Sequence, residues 1–129
     1  MSQPQSLLAF DFGTKRVGAA FGSRFTGRAE PLKHIAVDGE ARFLAIAKLI
    51  KDWQPDALVI GVPFHPDGAE HEITQRARRF GRQLKGRFKL PVFEVDERYT
   101  SVEAESYGVR DVDSTAAALI LEQFFNENL

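Results

Sequence analysis

Three acidic residues stand at points where an apolar strand is predicted to end or a helix to begin. Asp11 closes the first apolar run, Glu97 follows the last, and Asp113 opens the final predicted helix. Two carboxylates about 4 Å apart repel each other by roughly 4 kcal/mol at an effective dielectric constant of 20, so three in one pocket need a cation. Carboxylate oxygens favour Mg²⁺ or Mn²⁺, and such an ion can activate water and neutralise the leaving oxygen of a phosphodiester. The acids therefore predict a phosphodiester-cleaving site with one or two divalent ions.

Each acid also has a purely structural interpretation. An aspartate before a glycine turn, such as Asp11, often caps that turn, and Asp113 precedes a helix start where an N-cap aspartate is expected. Glu97 could pair with Arg98, which follows it, or with another surface cation. The functional interpretation therefore rests on the three acids together.

The order of the apolar runs predicts the elements that would bring the acids together. Strands are predicted at residues 7–12, 17–21, 32–37, 56–63 and 90–97, and helices at 39–53, 68–88 and 113–125. The resulting order, β-β-β-α-β-α-β-α, is typical of an α/β fold with a mixed five-stranded sheet and helices on both faces. Sites in such sheets form just beyond the strand ends, so we expect Asp11, Glu97 and the loop after Pro63 at one edge.

Two groups of basic residues could contact phosphate. Lys15 and Arg16 lie in the GTKR turn, where neighbouring glycines would let an anion approach the main chain; a solvated hairpin tip is the alternative. Residues 76–89 contain seven basic residues and no acidic one. On a helical wheel, Arg78, Arg82 and their basic neighbours lie opposite the apolar stripe. Such a face suits a sugar-phosphate backbone and predicts salt-sensitive binding, with a solvated outer face as the alternative.

Composition excludes several classes of protein. The chain has 129 residues, a formal net charge of −1 and no cysteine, which excludes disulfides and thiolate metal sites. Its length indicates one domain over residues 1–129, with residues 1–6 flexible. The amino-terminal MSQPQS is too short and polar for a signal peptide, and no apolar run approaches the about 20 residues of a membrane span. We therefore expect a cytoplasmic protein without a membrane partner.

Four motifs together resemble a known family. DFGTKRVGAA, VIGVPFHPDG, VDERYTS and DSTAAALIL, in this order and spacing, resemble the YqgF family of Holliday-junction resolvase-like proteins, also described as pre-16S rRNA processing nucleases. The resemblance runs from Leu7 to Phe125, nearly the whole chain. Departures are a valine in GVP where leucine is common, and Glu122 where the family often has glutamine; neither involves the acids.

The resemblance implies an RNase H-like fold and a metal-dependent endonuclease acting in 5′-end maturation of ribosomal RNA, with junction resolution in DNA recombination and repair as the alternative. It implies that the three acids are the catalytic residues and the ligands of Mg²⁺ or Mn²⁺. Further pocket residues that would contact phosphate or orient the acids are Arg16, Arg98, Thr100 and Ser101. His65, in the GVPFHPDG loop, could act as a general acid, although an isolated loop histidine is more often solvent-exposed.

Two other functions compete with a nuclease. A binding module would keep the fold and bind nucleic acid without cutting it. The hairpin motif FDFGTKRVGAAF also resembles the phosphate-binding hairpin of actin-like ATPases and sugar kinases, but those proteins need two such domains, which 129 residues cannot supply. The sequence does not distinguish structured RNA from branched DNA as the nucleic-acid partner, nor a monomer from a weak homodimer.

Overall fold

The sheet and helices follow the predicted order. The computed structural model describes residues 4–64, 67–70, 72–97 and 112–128, with the side chains of 112 and 113 excepted. The elements are β1 (Ser6–Asp11), β2 (Val17–Ser23), β3 (Arg28–Ile35), α1 (Gly39–Trp53), β4 (Ala57–Val62), α2 (Glu72–Phe88), β5 (Val92–Asp96) and α3 (Val112–Glu127). The α/β class and the element order are therefore confirmed.

The five strands form one mixed sheet in the order β3-β2-β1-β4-β5. β2 runs antiparallel to both β1 and β3, whereas β1, β4 and β5 are parallel. Parallel strands place their carboxyl ends at the same edge, which is called the carboxyl edge below. β1 and β4 are central, and their continuous apolar runs reflect burial on both faces.

Alternate residues of the central strands pack against different helices. Leu8 and Phe10 of β1 belong to a core with α1 and α2, while Leu7 and Ala9 belong to a second core with α3. The period of two along a strand produces this division. The face covered by α1 and α2 and the face covered by α3 are named the α1/α2 face and the α3 face. Helices on both faces are as predicted.

Two boundaries differ from the predicted ones by four residues, and the others by two or fewer. β3 begins at Arg28 instead of residue 32, because it is an edge strand with only one buried side chain and so lacks a clear apolar alternation. Pro31 lies within β3, and an edge strand tolerates the missing N–H group. α2 begins at Glu72 instead of Gly68, whose φ of 91° lies in the left-handed region. Within the ranges that the structure describes, no helix is both long and apolar enough to cross a membrane.

Asp56 fixes the amino end of β1. Its carboxylate accepts hydrogen bonds from the backbone N–H groups of Gln5 and Ser6, at 2.9 and 3.2 Å. Its own N–H donates to the carbonyl oxygen of Ser6 at 2.8 Å. The hydrogen bonds from these two N–H groups hold the pKa of the Asp56 carboxyl below its usual value.

We expect Asp56→Asn to lower the free energy of unfolding by about 1 kcal/mol near neutral pH, because the charge-assisted part of these hydrogen bonds is lost. The folded-state pKa lies below the unfolded one, so the contribution of the charge is complete above about pH 5. It disappears as the pH falls through the lowered folded-state value. Urea unfolding of both proteins between pH 7 and pH 3 measures this, and a difference that grows on acidification would contradict it.

Candidate functional site

Asp11 lies at the carboxyl edge on the α3 face. It is the last residue of β1 and is half-buried, and it continues the alternation of Leu7 and Ala9 toward α3. In the sheet register it pairs with Gly18 of β2 on one side and with Gly61 of β4 on the other. Both neighbours of Asp11 in the sheet are therefore glycines, which have no side chains of their own beside its carboxylate.

The side chain of Glu97 lies over Gly61. Glu97 directly follows β5 and is buried, with 7% of its surface exposed. A Cβ atom built on Gly61 would stand 2.8 Å from Glu97 Cγ and 3.0 Å from its Cδ, which is closer than such atoms approach. Adjacent strands are about 4.8 Å apart, so Asp11 is the direct neighbour of Gly61, over which Glu97 lies. The structure thus brings two of the three predicted acids to one glycine.

Gly61 was not singled out by the sequence analysis. Its role is steric, because the built Cβ would also meet Ile120 Cδ1 of α3. An isolated glycine within an otherwise apolar strand is a known sign of close approach by another group, and that signal was present in DALVIGVP. What the sequence lacks is the identity of the group that approaches.

The first turn of α3 lies at the same level as the end of β1. The buried Ser114 hydroxyl donates a hydrogen bond to the carbonyl oxygen of Leu32 in β3. Leu32 is in register, through β2, with Phe10, the residue before Asp11. Asp113 belongs to this first turn by its backbone, and its side chain lies outside the described residues.

The donor chemistry at this edge suits a hard divalent cation. Burial of a carboxylate such as Glu97 carries a desolvation penalty that a cation or hydrogen bonds must compensate. Among the side chains that the structure describes, no three histidine, cysteine or acidic residues lie close enough to form a metal site alone. The predicted third acid, Asp113, is not among those side chains. Asp11 and Glu97 thus present carboxylate oxygens at this edge, which could hold such a cation.

The turn between β1 and β2 carries the first predicted phosphate contacts. Lys15 and Arg16 are exposed there. A Cβ on Gly13 would collide with the carbonyl oxygen of Arg16, so the turn closes this tightly only with glycine at that position. The turn starts directly after Asp11, which places both cations near the carboxyl edge.

The basic face of α2 is smaller than the helical wheel predicts. Arg78 forms ion pairs with Glu70 at 2.9 Å and Glu94 at 3.4 Å, and its guanidinium lies 5.3 Å from the centre of the Phe64 ring. By contrast, Arg82 is exposed and has no carboxylate partner among the described residues. The wheel misses these pairs because Glu94 belongs to β5, a neighbour in space only. The charge of Arg82 is thus unpaired in the described structure, whereas Arg78 has two acidic partners.

Several predicted residues cannot be placed in the site. His65, Arg98, Thr100 and Ser101 lie outside the described residues. The roles assigned to them therefore remain expectations from the sequence.

Comparison with known proteins gives a consistent result. The family model described as "RuvX: Holliday junction resolvase" matches residues 5–127. A protein of Albidiferax ferrireducens named "Putative pre-16S rRNA nuclease" is 65% identical over 120 residues, which cover 93% of this chain and 77% of the relative. A protein of the same name from Polaromonas sp. is 57% identical over 120 residues, covering 93% and 87%. The resemblance drawn from the four motifs is thereby confirmed.

A solved structure shares the fold. The structure described as "T. thermophilus RuvC in complex with Holliday junction substrate" matches with a TM-score of 0.58 and covers 95% of this chain and 94% of that one. Sequence identity is 12%, so the match concerns the fold alone. It confirms the RNase H-like architecture.

Proposed function

The chain belongs to the RuvX family, whose members are nucleases, and we propose that it is a metal-dependent endonuclease acting in 5′-end processing of pre-16S rRNA. The observation that carries this proposal is the position of Glu97, buried over Gly61 beside Asp11 at the carboxyl edge. The choice of pre-16S rRNA as substrate follows the names of the close relatives.

In this proposal Asp11, Glu97 and Asp113 hold one or two Mg²⁺ or Mn²⁺ ions. A bound ion of this kind supplies an activated water and neutralises negative charge on the phosphodiester. The chain's own contribution is to fix the ligands, since Asp11 ends a central strand and the buried side chain of Glu97 lies over Gly61 of β4. Helices and strands position such ligands more precisely than loops do.

Cations around the edge would hold the substrate. Lys15, Arg16 and Arg82 are exposed and positively charged, so they can contact backbone phosphates that flank the cut bond. We extend the same role to Arg98, Thr100 and Ser101 from the family resemblance, and a weaker one to the paired Arg78. A cytoplasmic location and a monomer or weak homodimer complete the proposal.

Resolution of Holliday junctions is the second candidate function. The description of the matching family model favours it. The shared fold with a junction-bound resolvase is compatible with it. Symmetric cutting of a four-way junction would require two copies of the site, and therefore a dimer.

A cleavage assay distinguishes these functions. The wild-type protein is offered a pre-16S rRNA 5′ fragment, an unrelated single-stranded RNA and a four-way DNA junction, each with Mg²⁺, with Mn²⁺ or with chelator. We expect metal-dependent cutting of the rRNA fragment in preference to the others. Preferential cutting of the junction would favour the second candidate. Binding without cutting of any substrate would reject both in favour of a binding module.

A further inference from the structure

A basic pocket lies at the carboxyl edge on the opposite side of the sheet from Asp11. It is open, has a volume of about 330 Å³ and contains three guanidinium groups. The residues that contribute to its wall include Phe12, Thr14, Arg42, Arg76, Arg79 and Gln83. Phe12 packs on the α1/α2 face, so the pocket is separated from the acids by the thickness of the sheet. No acidic residue lines it within the described part of the chain.

Arg42 is built into the wall of this pocket. Only 7% of its surface is exposed, its Nε donates to the Val37 carbonyl at 3.0 Å, and its Nη2 donates to the Thr14 carbonyl at 3.1 Å. Its guanidinium carbon is 5.9 Å from the centre of the Phe12 ring. No carboxylate lies within ion-pair distance of it among the described residues. A charge buried in this way without a directly paired carboxylate is unfavourable, and an anion in the pocket would relieve the penalty.

The electrostatic surroundings of Arg42 agree with this view. Burial lowers the pKa of the Arg42 guanidinium, and the negative charge of Asp38 opposes that shift. An arginine remains protonated in proteins, so its full positive charge faces the pocket. Asp38 offsets only part of the effect of burial, and it does so without forming an ion pair.

The α2 side of the pocket supplies two more cations. Arg79 is exposed and has no carboxylate partner among the described residues. Arg76 pairs with Glu72 at 3.1 Å, one helical turn away, with both side chains mostly exposed. An exposed pair of this kind contributes little to stability, so Arg76 can exchange it for a better anion. The three arginines outnumber the nearby acids Asp38 and Glu72, so the net charge around the pocket is positive.

We propose that this pocket binds a phosphate group. Guanidinium groups bind phosphate through paired, directional hydrogen bonds, and three of them around one opening fit its charge. The half-buried ring of Phe12, packed at 5.2 Å on the buried ring of Phe80, gives the wall an apolar part that suits the sugar or base attached to the phosphate.

The phosphate belongs to the nucleic-acid strand that reaches the acids. Phe12 follows Asp11 directly, so the two sites lie on either side of the β1–β2 turn. The same turn carries the exposed Lys15 and Arg16, and Arg42 holds it through the Thr14 carbonyl. A strand that crosses this turn would contact the pocket and the carboxyl edge at once. This assignment of the strand rests on the proposed nuclease function; the anion site itself does not.

The test compares binding of labelled single-stranded RNA by wild type and by Arg76→Ala with Arg79→Ala, in chelator so that nothing is cut. Arg42 is left intact because it supports the turn. The matched control removes two lysines, Lys48→Ala with Lys51→Ala, which are exposed on α1. Fluorescence anisotropy across a range of salt concentrations gives the affinity and its salt dependence. Circular dichroism establishes that all three proteins are folded.

We expect the arginine variant to lose at least about tenfold in affinity at low salt. The slope of log affinity against log salt should fall by about 0.7, since the pocket holds one phosphate and each phosphate contact on a single strand contributes about 0.7. The lysine control should leave the slope unchanged. Equal affinity and slope in the arginine variant and wild type would overturn the strand assignment, and they would overturn the pocket as well if the two proteins also do not differ in their binding of adenosine 5′-monophosphate.

A second titration separates the two sources of phosphate. Adenosine 5′-monophosphate is titrated into wild type and into the arginine variant. If it binds wild type and not the variant while the RNA slope is unchanged, the pocket holds a free nucleotide and the strand assignment is wrong. Wild-type cleavage is measured independently. A changed slope in a protein that cuts nothing would keep the pocket and reject the nuclease.

Discussion

Asp11→Asn is expected to reduce the single-turnover cleavage rate by about 10³-fold or more, while affinity for the substrate changes little. The amide keeps the shape of the carboxylate and removes its charge. The loss of cleavage rate would therefore reflect a weakened metal site and not a loss of the fold. A metal ion that stabilises the transition state contributes several kcal/mol, and about 4 kcal/mol corresponds to about 10³ in rate. Quenched-flow cleavage with enzyme in excess, together with a binding titration in chelator, measures both quantities.

A remote aspartate provides the control for this substitution. Asp52 lies near the end of α1, exposed and paired with Lys48 at 2.8 Å, so Asp52→Asn makes the same chemical change away from the acids. Its cleavage rate should stay within a factor of two or so of wild type, because an exposed helix pair contributes little. If Asp11→Asn cuts as fast as Asp52→Asn, then Asp11 is a turn-capping residue and the site lies elsewhere.

Gly61→Ala is expected to lower the cleavage rate by about 10²-fold in a protein that still folds. The new methyl group would overlap Glu97 Cγ, now 2.8 Å from its position, and Ile120 Cδ1. Both obstacles are side-chain atoms, so the backbone of β4 can stay in place while Glu97 moves away from Asp11. A displacement of about 1 Å at a reacting group can cost about 10²-fold in rate. Overpacking also predicts a loss of about 1–3 kcal/mol in stability.

Gly86→Ala is the matched glycine substitution. Gly86 lies in α2 with no atom within 4 Å of a built Cβ, so alanine there should leave cleavage unchanged and stabilise the helix slightly. Glu97→Gln complements the two glycine substitutions, because it removes the charge of the Glu97 carboxylate without adding volume. Wild-type rates in both Gly61→Ala and Glu97→Gln would show that the buried glutamate serves packing alone.

The local features of the fold follow from the sequence because they depend on neighbouring residues. Short apolar runs and the helical spacing of apolar residues predicted every described element, and the acids stood out through their places at strand and helix ends. β3 is the weakest prediction, since an edge strand that contains Pro31 has little apolar alternation to detect. Its start could be found only from its pairing with β2.

The features that depend on the sheet order could not be predicted. Gly61 becomes informative only when β4 is known to lie between β1 and β5, because the pairing then places Asp11 beside it and Glu97 above it. Arg78 likewise looked free on a helical wheel, and its partner Glu94 belongs to a different element. The basic pocket combines Arg42 of α1 with two arginines of α2, which no local spacing connects.

Direct measurement of Mn²⁺ binding tests the central claim that the acids at the carboxyl edge form a metal site. Electron paramagnetic resonance counts free Mn²⁺ during a titration of wild type, Asp11→Asn, Glu97→Gln and the Asp52→Asn control. We predict that wild type and the control bind Mn²⁺ alike, and that each of the other two binds at least about tenfold more weakly, since ligand loss affects metal affinity more than the 10–100-fold typical of outer-shell changes. Equal Mn²⁺ affinity in all four proteins would contradict the claim.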